Sequence, residues 1–399
     1  MKTILRTFVG CTAILFGTAC MGAVKYVPEN MKVELSLKVP GNNAVNYKLH
    51  PDKLENSYFD YEWRSDNKLP ITVFHKVEER DSCMRLTVQL TAAQDVYFNY
   101  RQLLSTGYRH DNCQFYMPGF WYRRNLRSPK KAPSFHTSDS WLVREDRLSA
   151  PLTGIFSEKE KRFMTVNRLD DFSMDALATH KEGEIILSGK TSLGFTGFEN
   201  QQGIAMLSFG FPYREAPKSY IRKLTLAPEV EAFQLMKKGE SVLLTWEIME
   251  SGADDFSDFI QHTWEHCYDT YVPKPVENSY SIADMKQVLS CFFVNSLVDN
   301  QPLVYNSGIH LKVSDCERNG QAEVGFIGRV LLNAFNAWEY GWQSNREELK
   351  VNSTKIFDSY LKNGFTQAGF FKESVNFDKG YEEPIHSIRR QSEGVYRSE

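Results

Sequence analysis

"ADDFSDFIQHTWEHCYD", Ala253 to Asp269, divides the chain into two kinds of sequence. Before it, apolar residues alternate with polar ones; after it, they recur at helical spacing. Within it Phe256, Phe259, Ile260, Thr263, Trp264 and Cys267 form one stripe at about 100° per residue, so the segment reads as an amphipathic helix. His262, Glu265 and His266 on this helix spell H-x-x-E-H, the pattern of the inverted zinc peptidases. Two histidines four apart can share a metal. On the helical wheel, however, His262 and His266 lie beside the stripe near Asp255, and Glu265 points nearly opposite. A catalytic zinc helix turns its ligands into a cleft. This one turns them toward its polar face, just ahead of the extended "YVPKPVENS", and no third ligand is marked. The expectation is a connecting helix packed through Trp264, with no metal site.

Upstream, "KVELSLKV", "MRLTVQLT", "VYFNYRQL", "EGEIILSG", "IAMLSFGF" and "SVLLTWEIM" are short alternating runs bounded by Gly, Pro, Asn and Asp. They predict an antiparallel β-sandwich over residues 25–250. Residues 251–280 are the helix and its Pro-rich connector. Downstream, "SIADMKQVLSCFFVNSLV", "AEVGFIGRVLLNAFNAWEYGW", "REELKVNSTKIFDSYLKNG" and "HSIRRQSEGVYRSE" predict a helical domain over residues 281–399. The last helix has no stop signal, and Arg397, Ser398 and Glu399 stay within its pattern, which reads as a chain ending inside a domain.

The N-terminus has Lys2 and Arg6 ahead of an apolar run, Phe8 to Ala19, too short to span a bilayer. Residues 1–23 read as a secretory signal peptide, which directs the protein to the periplasm or cell envelope. "GTAC" at Gly17–Cys20 resembles a lipobox, with Gly17 where an aliphatic residue is usual. Two readings stand: lipid attachment and outer-membrane anchoring through Cys20, or ordinary cleavage near Gly22 or Ala23. Outside this region Cys83, Cys113, Cys267, Cys291 and Cys316 form no C-x-x-C pair, so neither a disulfide framework nor a cysteine-built zinc site is indicated. A net charge of −3 gives no electrostatic ground for nucleic-acid binding, whereas 13% aromatic residues suit a carbohydrate. No phosphate-cradling, dinucleotide or EF-hand loop is present, so no cofactor is expected.

A secreted sandwich, a helical connector and then paired helices resembles the bacterial glycan-degrading proteins of the six-hairpin glycosidase superfamily. The segments that carry the resemblance are "AEVGFIGRVLLNAFNAWEYGW", "KIFDSYLKNGF", the β-like "TQAGFFKESVNF" and "IRRQSEGVY". It implies a β + α multidomain chain: a β-sandwich followed by a helical linker and the first part of an (α/α)6 barrel. It also implies cleavage of a polysaccharide or oligosaccharide. The helix from Ser387 looks like an inner barrel helix presenting Arg389, Arg390 and Glu393 to a cleft.

Three groups of residues could carry such chemistry. "FYMPGFWYRRNLRSP", Phe115 to Pro129, offers Trp121, Tyr122, Arg124 and Asn125 around a Pro-Gly turn. Sugars need apolar faces to stack on and planar polar groups to bond, and arginine pairs bidentately with a uronate. The competing reading is a strand edge over a buried aromatic cluster. "SWLVREDRLSAP" offers Arg144 and Asp146, or an ordinary salt-bridged turn. Glycoside hydrolysis needs two flanking carboxylates, for which Glu323, Glu382 and Glu393 are candidates. Glu323 could instead complement a helix dipole, and Glu393 could pair with Arg389 or Arg390. Trp338, with Tyr340 and Trp342 at the end of a helix, offers a sugar platform or ordinary core packing. The expected function is that of a glycoside hydrolase-like protein using carboxylate acid/base chemistry. The alternatives are a non-catalytic glycan-binding lipoprotein and a polysaccharide lyase.

Overall fold

A computed structural model of the chain describes residues 26–392 except 81–82, 171–173, 179–180, 223, 273, 275–276, 299–302, 307–308, 312–315, 319–320, 324–328, 383–387 and 389–390. Residues 1–23, read as a signal peptide, together with Cys20, Arg389, Arg390 and Glu393, lie outside the described residues.

The alternating runs form one continuous 17-stranded sheet that folds over on itself into two layers. In one layer Val45–Lys53, Met31–Lys38, Val96–Arg109, Ile204–Phe211, Phe195–Gln201 and Trp141–Arg144 pair in that order, all antiparallel. In the other, Trp121–Arg123 leads through Cys113–Met117, Leu152–Ser157, Arg162–Arg168, Ser241–Gly252, Cys83–Ala92 and Ile71–Glu79 to Tyr61–Arg64. Tyr61–Arg64 then pairs with Val45–Lys53, so that strand belongs to both layers. The period-2 pattern explains why they face each other. In Cys83–Ala92, Leu86, Val88 and Leu90 are fully buried while the residues between them are partly exposed. They meet Val33, Leu35, Phe98, Tyr100 and Trp246 in a single core. Each such side chain contributes about 1.5–3 kcal/mol by leaving water.

The helix predicted from the opening stretch is present as α1, Phe256–Tyr271. Asp255 caps it, its carboxylate accepting from the backbone N–H of Ser257 at 2.7 Å and of Asp258 at 3.0 Å. Phe256, Phe259, Thr263 and Cys267 are buried. They pack on Tyr116, Phe156, Phe163 and Met249 from the outer face of the second layer. Trp264 is not the anchor that the wheel suggested. It is 40% exposed at the margin, its indole N–H donating to the Tyr116 hydroxyl at 2.8 Å, and Phe259 fills the centre instead. The helix is therefore part of the sandwich body. The two compact units are Met1–Pro273 and Lys274–Glu399, so the division falls after α1 rather than around it.

In the second unit, α2 (Ile282–Ser296) begins with a capping box: Ser281 accepts from Asp284 N–H, and the Asp284 carboxylate accepts from Ser281 N–H. α3 (Arg329–Gln343) and α4 (Glu347–Asn363) form a hairpin whose core holds Leu331, Ala334, Ala337, Leu349, Ile356 and Tyr360. A small sheet of Gln321–Glu323, Ser374–Asn376 and Gly380–Glu382 accompanies them. Among the described residues no helix is long and apolar enough to cross a membrane.

Candidate functional site

The loop Phe115–Pro129 is built on a tight hairpin. Met117 pairs with Trp121 and Tyr116 with Tyr122. Phe120 N–H closes the turn on Met117 C=O at 3.0 Å, with Pro118 first and Gly119 second at φ +78°. That is the chemistry of a type II turn, which needs glycine at the positive-φ corner. A Cβ at Gly119 would also stand 2.7 Å from the Ser149 hydroxyl. The strand then leaves regular geometry: Arg123 has φ +58° and Asn125 φ +49°. A non-glycine residue held there costs of order 1–3 kcal/mol unless its surroundings fix it. Asn125 supplies the fixing bonds. Its side-chain oxygen accepts from Tyr122 N–H at 3.0 Å, and its amide donates to Phe120 C=O at 3.2 Å and Pro133 C=O at 3.1 Å.

This geometry sorts the predicted sugar contacts. Trp121 is fully buried among Phe135, Trp141 and Phe198, and its indole N–H donates to Arg123 C=O at 3.0 Å. It is a core residue and cannot stack on a ligand. Arg124 is half-buried over the Phe135 ring, donating to the carbonyls of Cys113 at 3.2 Å, His110 at 3.4 Å and Asp111. It ties the loop to the preceding turn, as Asn125 ties the loop to itself, and both also contribute to the wall of the cleft. Tyr122 is 52% exposed. The side chains turned outward with it are Arg123, Leu126 and Arg127. Arg123 donates to the Gln114 side-chain oxygen at 3.0 Å and lies 4.7 Å over the Phe256 ring of α1. Arg127 makes no hydrogen bond or ion pair with any described residue. Together these residues line an open cleft of about 560 Å³. That volume suits a small oligosaccharide segment. Of the residues named from the sequence, Tyr122, Arg124 and Asn125 line this cleft, and Trp121 lies buried beneath it.

The other predicted residues separate in the same way. Arg144 is committed to Asp146, with bonds of 2.7 and 2.5 Å, and to Asp175 at 3.1 Å, so it forms a closed intramolecular clamp rather than a ligand contact. Although burial opposes it, this pairing holds the Asp146 carboxyl below its usual range. Glu323 does not start a helix: it ends the strand Gln321–Glu323, and α3 begins at Arg329. Glu382 ends the strand Gly380–Glu382. The register brings these two together, because Glu323 and Glu382 pair with Ser374 from opposite sides. Strands two apart lie about 9.5 Å from each other. Trp338 is 38% exposed, in ring contact with Phe335 and Trp342, and at about 100° per residue it adjoins the buried Leu331 and Ala334 at the edge of the packed face of α3. It therefore remains accessible. A second cleft of about 450 Å³ between α2 and α3, lined by Lys286, Asn336, Glu339 and Tyr340 among others, was not anticipated as a cleft.

The H-x-x-E-H histidines do not converge. His262 faces Asp258 at 3.5 Å, Glu265 accepts from Gln261, and His266 bonds Glu247 of the sheet at 2.7 Å. This excludes a peptidase arrangement of those three residues.

The chain matches no sequence-family profile and no curated protein. Among solved structures it is similar to a polysaccharide lyase, with 11% identity and a TM-score of 0.35, over 92% of this chain and 58% of the lyase. It is also similar to an α-galactosidase from Lactobacillus brevis, with 7% identity and a TM-score of 0.26, over 59% of this chain and 31% of that one. A GH36 α-galactosidase from Geobacillus stearothermophilus aligns with 10% identity and a TM-score of 0.24, over 55% of this chain and 30% of that one. Glycan-active proteins thus recur among its structural neighbours, and the chain spans little more than half of the lyase's length.

Proposed function

We propose that the protein is a carbohydrate-active protein of the cell envelope whose sandwich binds an acidic polysaccharide or oligosaccharide. One observation carries this reading: the 560 Å³ cleft sets two exposed guanidinium groups, Arg123 and Arg127, beside the exposed ring of Tyr122. A guanidinium fork matches a uronate carboxylate or a sulfate ester bidentately. The tyrosine ring offers a flat apolar surface for a pyranose face together with a polar tip. Arg124 and Asn125 hold the loop in place before ligand arrives, so little ordering entropy opposes binding. The expected partner is a glycan rather than a nucleic acid: a net charge of −3 supplies no extended basic surface to track a phosphate backbone, and the cationic groups of the proposed site are confined to the one cleft.

A second reading, turnover by hydrolysis, is favoured by the register of Glu323 and Glu382. Their backbone separation of about 9.5 Å compares with the roughly 6.5–9.5 Å between the carboxyl groups of inverting glycosidases. One would protonate the leaving oxygen and the other would activate water. Secretion and anchoring through Cys20 rest on the N-terminal sequence and complete the proposal.

The experiment is a comparison of purified protein on a uronate-containing polysaccharide and on its carboxyl-reduced counterpart. Retention on the first alone supports the acidic-glycan reading; equal retention, or none, refutes it. Release of new reducing ends in the same incubation supports hydrolysis, an unsaturated uronate product supports a lyase, and neither product leaves the protein a binder.

A further inference from the structure

Under α1 a second constellation lies apart from the cleft. Glu247 and Arg85 are direct partners on adjacent antiparallel strands, and Cys83 lies two residues from Arg85 on the same face. His266 reaches them from α1. The Cys83 sulfur, a Glu247 carboxylate oxygen and a His266 ring nitrogen all lie within 4.8 Å of one another. Cys83 and Glu247 are each 4% exposed, and the His266 side chain is 21% exposed. Thr270 completes the helix side, its hydroxyl donating to Glu247 Oε1 at 3.2 Å.

We propose that Cys83, Glu247 and His266 form a binding site for a zinc-class divalent cation that fastens α1 to the sandwich. The donor set decides the class. Thiolate, imidazole and carboxylate together are the borderline-soft ligands of zinc, whereas calcium and magnesium require oxygen throughout. Distances are compatible. Metal–ligand bonds of about 2.0–2.3 Å at tetrahedral angles put donor atoms roughly 3.3–3.6 Å apart. Donors that already lie within 4.8 Å of one another need converge by no more than about 1.5 Å, while the His266–Glu247 contact of 2.7 Å opens by about 0.6 Å. The charges balance, because one thiolate and one carboxylate neutralise a dication. Arg85 lies 3.4 Å from the other Glu247 oxygen, where an outer-shell partner orients a ligating carboxylate. Binding forms a metal–sulfur bond and releases the Cys83 thiol proton to solvent. Burial, reinforced by the Glu247 charge, raises the Cys83 thiol to about 11, so without a cation it stays protonated. The fourth position, on the Thr270 side, takes water or that hydroxyl. His262 and Glu265 take no part, so this site is distinct from the one that H-x-x-E-H suggested.

The test uses the full chain and cobalt(II) as a spectroscopic stand-in for zinc. One equivalent of cobalt with a thiolate-to-metal charge-transfer band in the near ultraviolet, displaced by zinc, is the expected result. Cys83→Ser removes the band, His266→Gln weakens cobalt binding at least tenfold, and His262→Gln leaves both unchanged. Unsubstituted protein that binds no cobalt, or binds it without a thiolate band, overturns the proposal whatever the variants do. Retention of unaltered affinity by Cys83→Ser overturns it as well.

Discussion

Removing the Phe259 ring should loosen α1 from the sandwich by an amount that the packing sets. Phe259 is fully buried. Its ring lies 4.9 Å from Phe163, 5.5 Å from Phe256, 6.0 Å from Phe156 and 6.1 Å from Tyr116. Truncation of such a ring to alanine costs about 3–5 kcal/mol through lost transfer energy and the cavity left behind. In a unit of this size, each kcal/mol lowers the melting temperature by about 2–4 °C, so a fall of roughly 6–20 °C is expected. The opposite face of the contact supplies an internal control. A Cβ at Gly154 would meet Phe259 Cζ at 2.5 Å and Cε2 at 3.0 Å. Gly154→Ala alone should therefore cost about 1–3 kcal/mol by overpacking. In the Phe259→Ala background the same methyl has room and partly fills the cavity, so its cost should fall to near zero or change sign. Urea unfolding followed by tryptophan fluorescence gives all four corners of the cycle. Simple additivity of the two substitutions, or a Phe259→Ala cost below about 1 kcal/mol, would show that α1 is not docked as described.

Three further outcomes follow from the sandwich. His75 is buried, accepting from the Tyr26 hydroxyl through Nδ1 and donating from Nε2 to Tyr100 Oη, which passes the chain on to Gln102. Burial lowers its pKa from 6.5 to about 3. The unfolded chain thus binds a proton that the folded one refuses between those values, and stability falls as pH drops below about 6.5, by at most about 5 kcal/mol at pH 3. Unfolding of His75→Gln at pH 7 and 4.5 should show a slope shallower by about 2–3 kcal/mol; an unchanged slope would refute the assignment. Trp121→Ala should cost about 3–5 kcal/mol, whereas Tyr122→Ala should leave the midpoint within about 0.5 kcal/mol and weaken glycan binding, as read from unfolding and binding titrations side by side. Arg124→Ala should destabilise the loop by leaving the carbonyls of Cys113 and Asp111 without their donor, which faster proteolysis near Leu126 would report.

What the sequence made legible was whatever repeats locally. Alternation in "MRLTVQLT" placed Leu86, Val88 and Leu90 correctly inside, and the helical stripe placed Phe256, Phe259, Thr263 and Cys267 on the sheet. The errors lie where a local rule meets a neighbour distant in the chain. Trp264 fits the stripe but falls at its edge, because the sheet beneath α1 is centred on Gly154, whose missing side chain admits Phe259. Trp121 and Tyr122 are adjacent and equally suited to a sugar by type. Only the hairpin register, pairing Trp121 with Met117, decides that one goes inward. A period-2 reading carried through the Pro118-Gly119 turn would have found this. Arg124 looked as free as Arg123 because its acceptors are backbone carbonyls, which no residue type reveals. Glu323 was assigned to a helix start because the apolar spacing of the following helix hides a strand whose partner comes some fifty residues later (Glu323 to Ser374). Cys83 and Glu247 meet through strand pairing alone, so no motif could have joined them to His266.

The acidic-glycan reading is tested most directly by calorimetric titration of a uronate-containing oligosaccharide into the unsubstituted chain and into Arg123→Gln/Arg127→Gln. Arg127 has no hydrogen bond or ion pair to any described residue, and Arg123 gives up only its bond to Gln114 and its contact with the Phe256 ring at the surface, so the variant should lose no more than about 1–2 kcal/mol of stability. Loss of two bidentate carboxylate contacts, each worth about 1.5–3 kcal/mol, should weaken binding by two orders of magnitude or more. Higher salt should weaken the unsubstituted protein much more than the variant. Equal affinity of the two proteins, or no binding by either, would contradict the assignment of the cleft.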